Sequence, residues 1–141
     1  MIEKTRHSHT NFLMIQPYVR RAEKHGAIRC KSEGFMDLTV EYLETNDCYG
    51  NPMYSITHYG EQNGDAMRDP DMMFSVNYST GTVIPWTFRN DYVGVNQEIM
   101  FEMEGKKYYR VSLLKQLDDF LWMWLKNIKD QGFSPDVFEI I

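Results

Sequence analysis

The spacing of apolar residues changes twice along this chain of 141 residues, and the two changes divide it into three parts. Between residues 38 and 103, apolar side chains recur at every second position, which is the period of a β-strand with one buried face. Before residue 26 and after residue 112, they recur every three or four positions, which is the period of an amphipathic helix. The spacing therefore predicts a helix, an antiparallel sheet and a second helix, in this order.

The N-terminal helix is predicted over residues 9–25. Pro17 lies inside this segment, so either the helix kinks there or a second helix begins there. Gly26 is expected to end the helix, since glycine readily takes the conformation found just after a helix. The apolar stripe consists of Phe12, Ile15, Tyr18, Val19 and Ala22.

Five antiparallel strands are predicted between residues 27 and 110. The alternating segments are "FMDLTVEYLE", "MYSITHY", "MMFSVNY", "TVIPWTF" and "YVGVNQEIMFEM". The apolar side chains predicted to share one face of the last segment are Val93, Val95, Ile99, Phe101 and Met103. Alternation on one side only, with the short turns "STG" at 79–81 and "EGK" at 104–106, is typical of an antiparallel sheet covered on one face.

The C-terminal helix is predicted over residues 112–131 and is the clearest element of the chain. Its stripe consists of Leu113, Leu114, Leu117, Phe120, Leu121, Trp124, Leu125 and Ile128. Two amphipathic helices and a one-faced sheet predict a single α+β domain over residues 1–141, with both helices packed on the same face of about five strands. Trp122 lies opposite the stripe, so it either covers a sheet edge or a terminal segment, or anchors a protein partner.

Charge is distributed unevenly along the chain. Residues 1–31 carry seven Lys or Arg and two Asp or Glu, whereas residues 33–104 carry two Arg and thirteen Asp or Glu. An acidic middle argues against direct binding to nucleic acid and suits a basic protein partner. No apolar run approaches the length of a membrane span, and the N-terminal residues lack the pattern of a signal peptide, so we expect a cytoplasmic protein with two free cysteines.

The segment "HYGEQNGDAMRDPDMMF", residues 58–74, contains the densest group of polar side chains. Its candidate functional residues are His58, Glu61, Asn63, Asp65, Asp69 and Asp71. They could form a metal-dependent acid/base site, but the order of ligands in a calcium loop is absent. The alternative is a structural network, since Asn63-Gly64 and Asp69-Pro70 are typical turn residues whose neighbours satisfy backbone donors. We favour the structural network.

A second polar group follows in the predicted sheet. Arg89, Asn90 and Asp91 join two strands, which could bring them near Glu98, and Gln97 falls on an otherwise apolar face where it needs a partner. The sequence has no phosphate loop, no zinc-type cysteine pair and no nucleophile elbow, and "HSH" at 7–9 predicts only adventitious metal binding. No cofactor and no metal are therefore expected.

The two polar motifs together resemble those of a small domain family of unknown function, whose members belong to bacterial plasmids, phages and conjugative elements. The resemblance covers roughly residues 36–100, with a closing helix near "QGF". It implies a mobile-element protein, and the family's aromatic residue after His-Tyr is replaced here by Gly60. The marked positions are His58, Glu61, Asn63, Asp65, Asp69, Arg89, Asn90, Asp91, Gln97 and Glu98.

Three classes of function follow from these patterns. The first is a small acidic accessory protein of a mobile element that acts by binding another protein. The second is a structural subunit or homodimer. The third is a metal-dependent hydrolase or nuclease-like enzyme that uses His58 with the carboxylates of 58–71. We rank them in this order, because the chain lacks a recognisable catalytic set.

Overall fold

The computed structural model describes residue 2 and residues 4–141. Within these residues it contains two helices and ten strands. The helices are α1 (Ser8–His25) and α2 (Val111–Asp130). The strands are β1 (Ala27–Cys30), β2 (Leu38–Asn46), β3 (Pro52–Gln62), β4 (Asp65–Asn77), β5 (Thr82–Pro85), β6 (Thr87–Asn90), β7 (Val95–Glu98), β8 (Met100–Met103), β9 (Lys106–Tyr109) and β10 (Glu139–Ile140). The α+β class and the terminal helices are confirmed.

The main sheet is antiparallel throughout and has the order β10-β1-β2-β3-β4-β6-β7, with β5 also paired to β4. It is larger than the predicted five strands. One reason is that the predicted strand "TVIPWTF" breaks at Trp86, so its two halves, β5 and β6, pair separately with β4. Another is that the chain after α2 returns and adds β10 beside β1.

The predicted strand "YVGVNQEIMFEM" is wrong as a single strand. The chain bends at Ile99, which is fully buried, and the next residues form a separate two-stranded hairpin of β8 and β9. Val93 and Met103, which the alternation placed on the buried face, are exposed. Alternation continues across the bend, so the period alone could not reveal it.

Helix α1 runs without interruption through Pro17, and Gly26 follows it with a φ of 89° and a backbone N–H that donates to Ala22. All five residues of the predicted stripe are buried. The first turn has no carboxylate of its own. The carboxylate of Asp118, in α2, supplies the acceptor that this end of the helix requires.

The core lies between the two helices and one face of the sheet. Ile28, Val40, Ile56 and Met72 are successive cross-strand neighbours on this face, and all four are fully buried. From the helices, the residues that join them in the core include Ile15, Val19, Leu117, Leu121 and Trp124. The predicted packing of both helices on one face is thus observed.

The opposite face of the sheet carries a polar row. Arg29, Thr39, Thr57, Asp71 and Arg89 are successive cross-strand neighbours on β1, β2, β3, β4 and β6. The hydroxyl of Thr57 donates to the carboxylate of Asp71, and both side chains are buried.

Neither α1 nor α2 has an apolar stretch that could cross a bilayer.

Candidate functional site at the tip of a hairpin

The segment 58–74 forms the distal half of the β3–β4 hairpin. Asn63 and Gly64 make the two-residue turn, with φ values of 53° and 86°. Positive φ at both positions matches the twist of the flanking strands, and Asn-Gly is the residue pair that tolerates it best. The predicted turn at Asn63-Gly64 is therefore confirmed.

Asp69-Pro70 is not a turn, and this part of the prediction was wrong. The pair lies inside β4, where Thr57 faces Asp71 but Tyr59 faces Arg68, so two residues of β4 stand opposite the single residue His58. A proline has no N–H to give to a ladder, which suits a bulge. The bulge lets Arg68 and Asp71 lie on the same face of the sheet although they are three residues apart.

Two polar contacts tie this hairpin to the β6–β7 turn. The guanidinium of Arg68 donates from Nε and Nη2 to the two carboxylate oxygens of Asp91, each at 3.0 Å, and the Arg68 backbone N–H donates to Oδ2 at 2.7 Å. These hydrogen bonds from Arg68 hold the pKa of Asp91 below its ordinary value. The amide of Asn90 donates to Asp69 at 2.7 Å. Arg68, Asp69, Asn90 and Asp91 thus act as a clamp between β4 and the start of the β6–β7 connection.

His58 lies on the helix-facing side of the sheet and is largely buried. Its ring packs between Trp124 and Phe133, with centroids 5.6 and 5.4 Å away, and Nδ1 lies 3.2 Å from the carbonyl oxygen of Met36. Burial lowers its pKa, because removing the ring from water disfavours the charged form. His58 therefore supports the chain at residues 36–37, and its burial favours the neutral form of the ring.

The structure does not gather the predicted candidates into one centre. His58 and Asp71 lie on opposite faces of the sheet, and Glu61, Asn63 and Asp65 are exposed at the hairpin tip. Gln97 and Glu98 lie on β7. The sequence analysis placed Glu98 near the connection of Arg89, Asn90 and Asp91, but its cross-strand neighbour is Thr87. Arg89 faces Asn96. A common metal site for the 58–71 side chains has no support in the described part of the chain.

An apolar surface at the hairpin tip was missed by the sequence analysis. A Cβ added to Gly60 would lie 2.3 Å from Tyr92 Oη and 2.9 Å from Met36 Sδ, so both side chains cover this glycine. Met36 is 38% exposed, Tyr92 is 42% exposed and the adjacent Val93 is 69% exposed. We call Met36, Gly60, Tyr92 and Val93, with the exposed carboxylates of Glu61 and Asp65, the tip surface. A glycine inside a strand was the one sequence signal for this close approach.

Comparison with protein families places this sequence in a known group. Residues 10–134 match the family described as "Domain of unknown function (DUF6908)". The chain belongs to this family. No curated protein and no solved structure matches the sequence at a significant level. The DUF6908 match extends from α1 to just past α2, so the clamp, His58 and the tip surface all lie within the domain.

Trp122, the predicted partner anchor, is half-buried at the other end of the DUF6908 domain. Its indole stacks on the ring of His7, with centroids 4.4 Å apart and planes 7° apart, and the ammonium of Lys126 lies 4.3 Å from the indole centre. Trp122 was expected either to cover a sheet edge or a terminal segment, or to anchor a protein partner. Its stacking on His7 agrees with the covering of a terminal segment. Its role in partner binding stays a prediction.

A carboxylate of α2 completes the start of α1 in the DUF6908 domain. Asp118 is buried and accepts from the Thr5 hydroxyl at 2.6 Å, the His7 backbone N–H at 2.8 Å and the Asn11 amide at 3.4 Å. His7 Nε2 lies 3.2 Å from Asp119, so ligand atoms of these two residues and Asp118 are close enough to share an ion. Because Asp118 already serves three donors, the group functions as a helix cap without one.

Proposed function

We propose that this protein is a small accessory protein that binds a basic protein partner through the tip surface. The observation that carries the proposal is the exposed apolar group of Met36, Tyr92 and Val93 at the hairpin tip, where Glu61 and Asp65 are also exposed. Exposed apolar groups with polar rims are typical of protein-binding sites.

The charges near the tip favour a basic partner. Arg68 is one of the two cations within residues 33–104, and its charge is matched by the bidentate contact with Asp91. Glu61 and Asp65 therefore add two exposed negative charges to the tip. A negative potential speeds encounter with a basic surface and repels the phosphates of nucleic acid. In the proposal, carboxylates steer the partner, and the apolar side chains supply most of the contact area.

The biological setting is part of the proposal. The resemblance of the motifs at 58–74 and 85–98 to those of plasmid, phage and conjugative-element proteins supports a role in a mobile element. A partner of such a protein would be encoded by the host or by the element, and the complex would form in the cytoplasm. A second copy of this chain remains an outcome that the experiment below distinguishes.

Photo-crosslinking at the tip surface tests the proposal. We would replace Val93 by p-benzoylphenylalanine in cells that carry the natural element, and place the same group at the exposed Thr10 as a control. We expect an adduct from position 93 that is absent from position 10. The partner, identified and purified, should bind more weakly to Glu61→Lys and Asp65→Lys and at high salt.

Three results would contradict the proposal. Identical adducts from positions 93 and 10 would show that the contact is not specific to the tip. An adduct with a second copy of the chain would favour the homodimer. The enzyme alternative has its own test, which is a thermal melt in EDTA followed by added divalent cations. A rise in melting temperature that vanishes in Asp65→Asn or Asp69→Asn would favour that enzyme.

A further inference from the structure

We propose that the outer edge of β1 binds an extended acidic segment of another protein, and that residues 134–141 of this chain occupy the edge until such a segment displaces them. These residues, called here the β10 segment, follow the buried Phe133 and place β10 beside β1. The family match ends at residue 134, so it includes β1 but not β10. The edge of β1 shares no residue with the tip surface, so the two proposals are tested separately.

Few contacts hold the β10 segment in place. Its ladder with β1 consists of two cross-strand pairs, Ile28 with Ile140 and Arg29 with Glu139. The Ile140 side chain is 61% exposed, and among residues 134–141 it is Phe138 that packs against the core. A strand with so few buried contacts opens locally at a small cost in free energy, while the core stays folded. The edge of β1 is therefore accessible from the folded state.

The side chains of the β10 segment show what the edge of β1 accepts. The ring of Phe138 lies on the helix side of the sheet, 5.5 Å from that of His25. The carboxylate of Glu139 lies on the other face, 3.6 Å from the guanidinium of Arg29 and 3.7 Å from the ammonium of Lys31. Successive side chains of a strand point to opposite faces. A segment seated on this edge therefore has an acidic residue between two apolar ones.

The charge at the edge explains why the seated segment is acidic. Arg21 of α1 donates to the Asp136 carboxylate at 2.6 Å, on the same segment that Arg29 contacts. Lys31 also pairs with Asp37 at 3.9 Å, so Arg21 and Arg29 supply most of the positive charge that faces the segment. Such an edge attracts an acidic segment and repels a basic one.

A segment of another protein can pair with more of β1 than the β10 segment does. β1 extends to Cys30, but the β10 segment turns where Ser134 Oγ accepts from the Asp136 backbone N–H at 3.1 Å, and its ladder ends at Arg29. A longer strand continues the ladder and gains main-chain hydrogen bonds. A second copy of this chain brings the same short ladder, against which the attached segment has the higher effective concentration. The occupant that displaces it is therefore a longer strand from another protein.

Binding of a labelled peptide to the full chain tests this proposal. The probe is fluorescein-labelled Ser-Pro-Asp-Val-Phe-Glu-Ile-Ile, the sequence of the β10 segment. Glu139→Lys places a cation beside Arg29 and Lys31 and should release the attached segment. Fluorescence anisotropy should show this variant binding the probe about tenfold more tightly than the wild type, in which the attached segment competes. Glu102→Lys, the same charge change at an exposed position of β8, should bind the probe as the wild type does.

Two further peptides make the outcome decisive. A peptide with Thr-Val in place of Ser-Pro has no proline to end the strand, so it should bind the wild type more tightly than the first probe. A peptide with Lys in place of Glu should lose binding to both the wild type and Glu139→Lys.

Three results would overturn the proposal. The first is that Glu139→Lys binds the first probe no more tightly than the wild type. The second is that the Thr-Val peptide gains nothing over the first probe, or that the Lys peptide binds as well as the Glu peptide. The third is a wild-type dimer in light scattering that Glu139→Lys abolishes, which would make a second copy the occupant of the edge.

Discussion

Replacing Gly60 by alanine should disturb Tyr92 more than it disturbs the fold. The new Cβ would lie 2.3 Å from Tyr92 Oη and 2.9 Å from Met36 Sδ, distances that real carbon atoms do not tolerate. Both atoms are at the far ends of flexible side chains that are partly exposed. We therefore expect Tyr92 to swing into solvent, while the backbone of β3 stays in place.

The expected cost can be worked out from what Tyr92 loses. Its hydroxyl donates to the Glu61 carbonyl oxygen at 3.4 Å, a long bond whose loss costs about 0.5 kcal/mol. Tyr92 is already 42% exposed, so the packing that it gives up adds only a similar amount. These losses total about 1 kcal/mol. Alanine also restricts the unfolded chain, which offsets about 0.4–1 kcal/mol of them, so Gly60→Ala should lower the free energy of unfolding by at most about 0.6 kcal/mol.

In a Tyr92→Ala background the sign should reverse. The tyrosine obstacle is then absent, Met36 can move aside, and alanine restricts the unfolded chain more than glycine does, which stabilises by about 0.4–1 kcal/mol. The effect of alanine on the unfolded chain is the same in both backgrounds and cancels, so a double-mutant cycle should give a coupling energy of about 1 kcal/mol, the loss of the Tyr92 contacts. Urea unfolding followed by tryptophan fluorescence measures all four variants. Equal costs of Gly60→Ala in the two backgrounds would refute the close approach of Tyr92.

Three other outcomes are expected. Leu121→Ala should lower the free energy of unfolding, measured in urea, by about 2–5 kcal/mol, because the side chain is fully buried between α2 and the sheet. A loss below about 1 kcal/mol would mean that α2 packs against the sheet with another face. Asp118→Ala should lower the free energy of unfolding by about 2–4 kcal/mol, because three donors lose their acceptor. The control Asp119→Ala, at an exposed neighbour, should lower it by less than about 1 kcal/mol. Equal shifts of the two variants in thermal melts would contradict the cap. Stability should fall as the pH drops below the ordinary histidine value of 6.5, because the pKa of His58 is lower in the folded state and the unfolded chain binds the proton first. Equal pH slopes for wild type and His58→Gln would argue against this.

The core was predictable from the sequence because burial follows backbone geometry. On a strand, side chains alternate between faces, so Val40 and Phe74 could be assigned to the covered face without knowing their neighbours. On a helix, the stripe that contains Leu117 and Leu121 identified the face that meets the sheet. These assignments need only one residue's position along its own element.

The tip surface was not predictable in this way. Met36 and Tyr92 come from two different strand connections and meet over Gly60 only because the order of the sheet brings those connections together. The clamp between Arg68 and Asp91 likewise depends on the bulge at Asp69-Pro70. The sequence identified most of the polar residues involved. Which of these residues contact each other, and on which face of the sheet they lie, depends on the register between strands, and local sequence patterns do not encode that register.

The cap that Asp118 provides has a consequence for the order in which the protein can fold during synthesis. The backbone N–H of His7 finds its acceptor 111 residues later in the chain, so a ribosome has nearly finished the domain before that acceptor emerges. The β2–β5 meander, whose contacts are close in sequence, can form early. The first turn of α1 must wait for α2. A nascent chain arrested before α2 should therefore leave the N-terminal segment open to proteases, although that segment was made first.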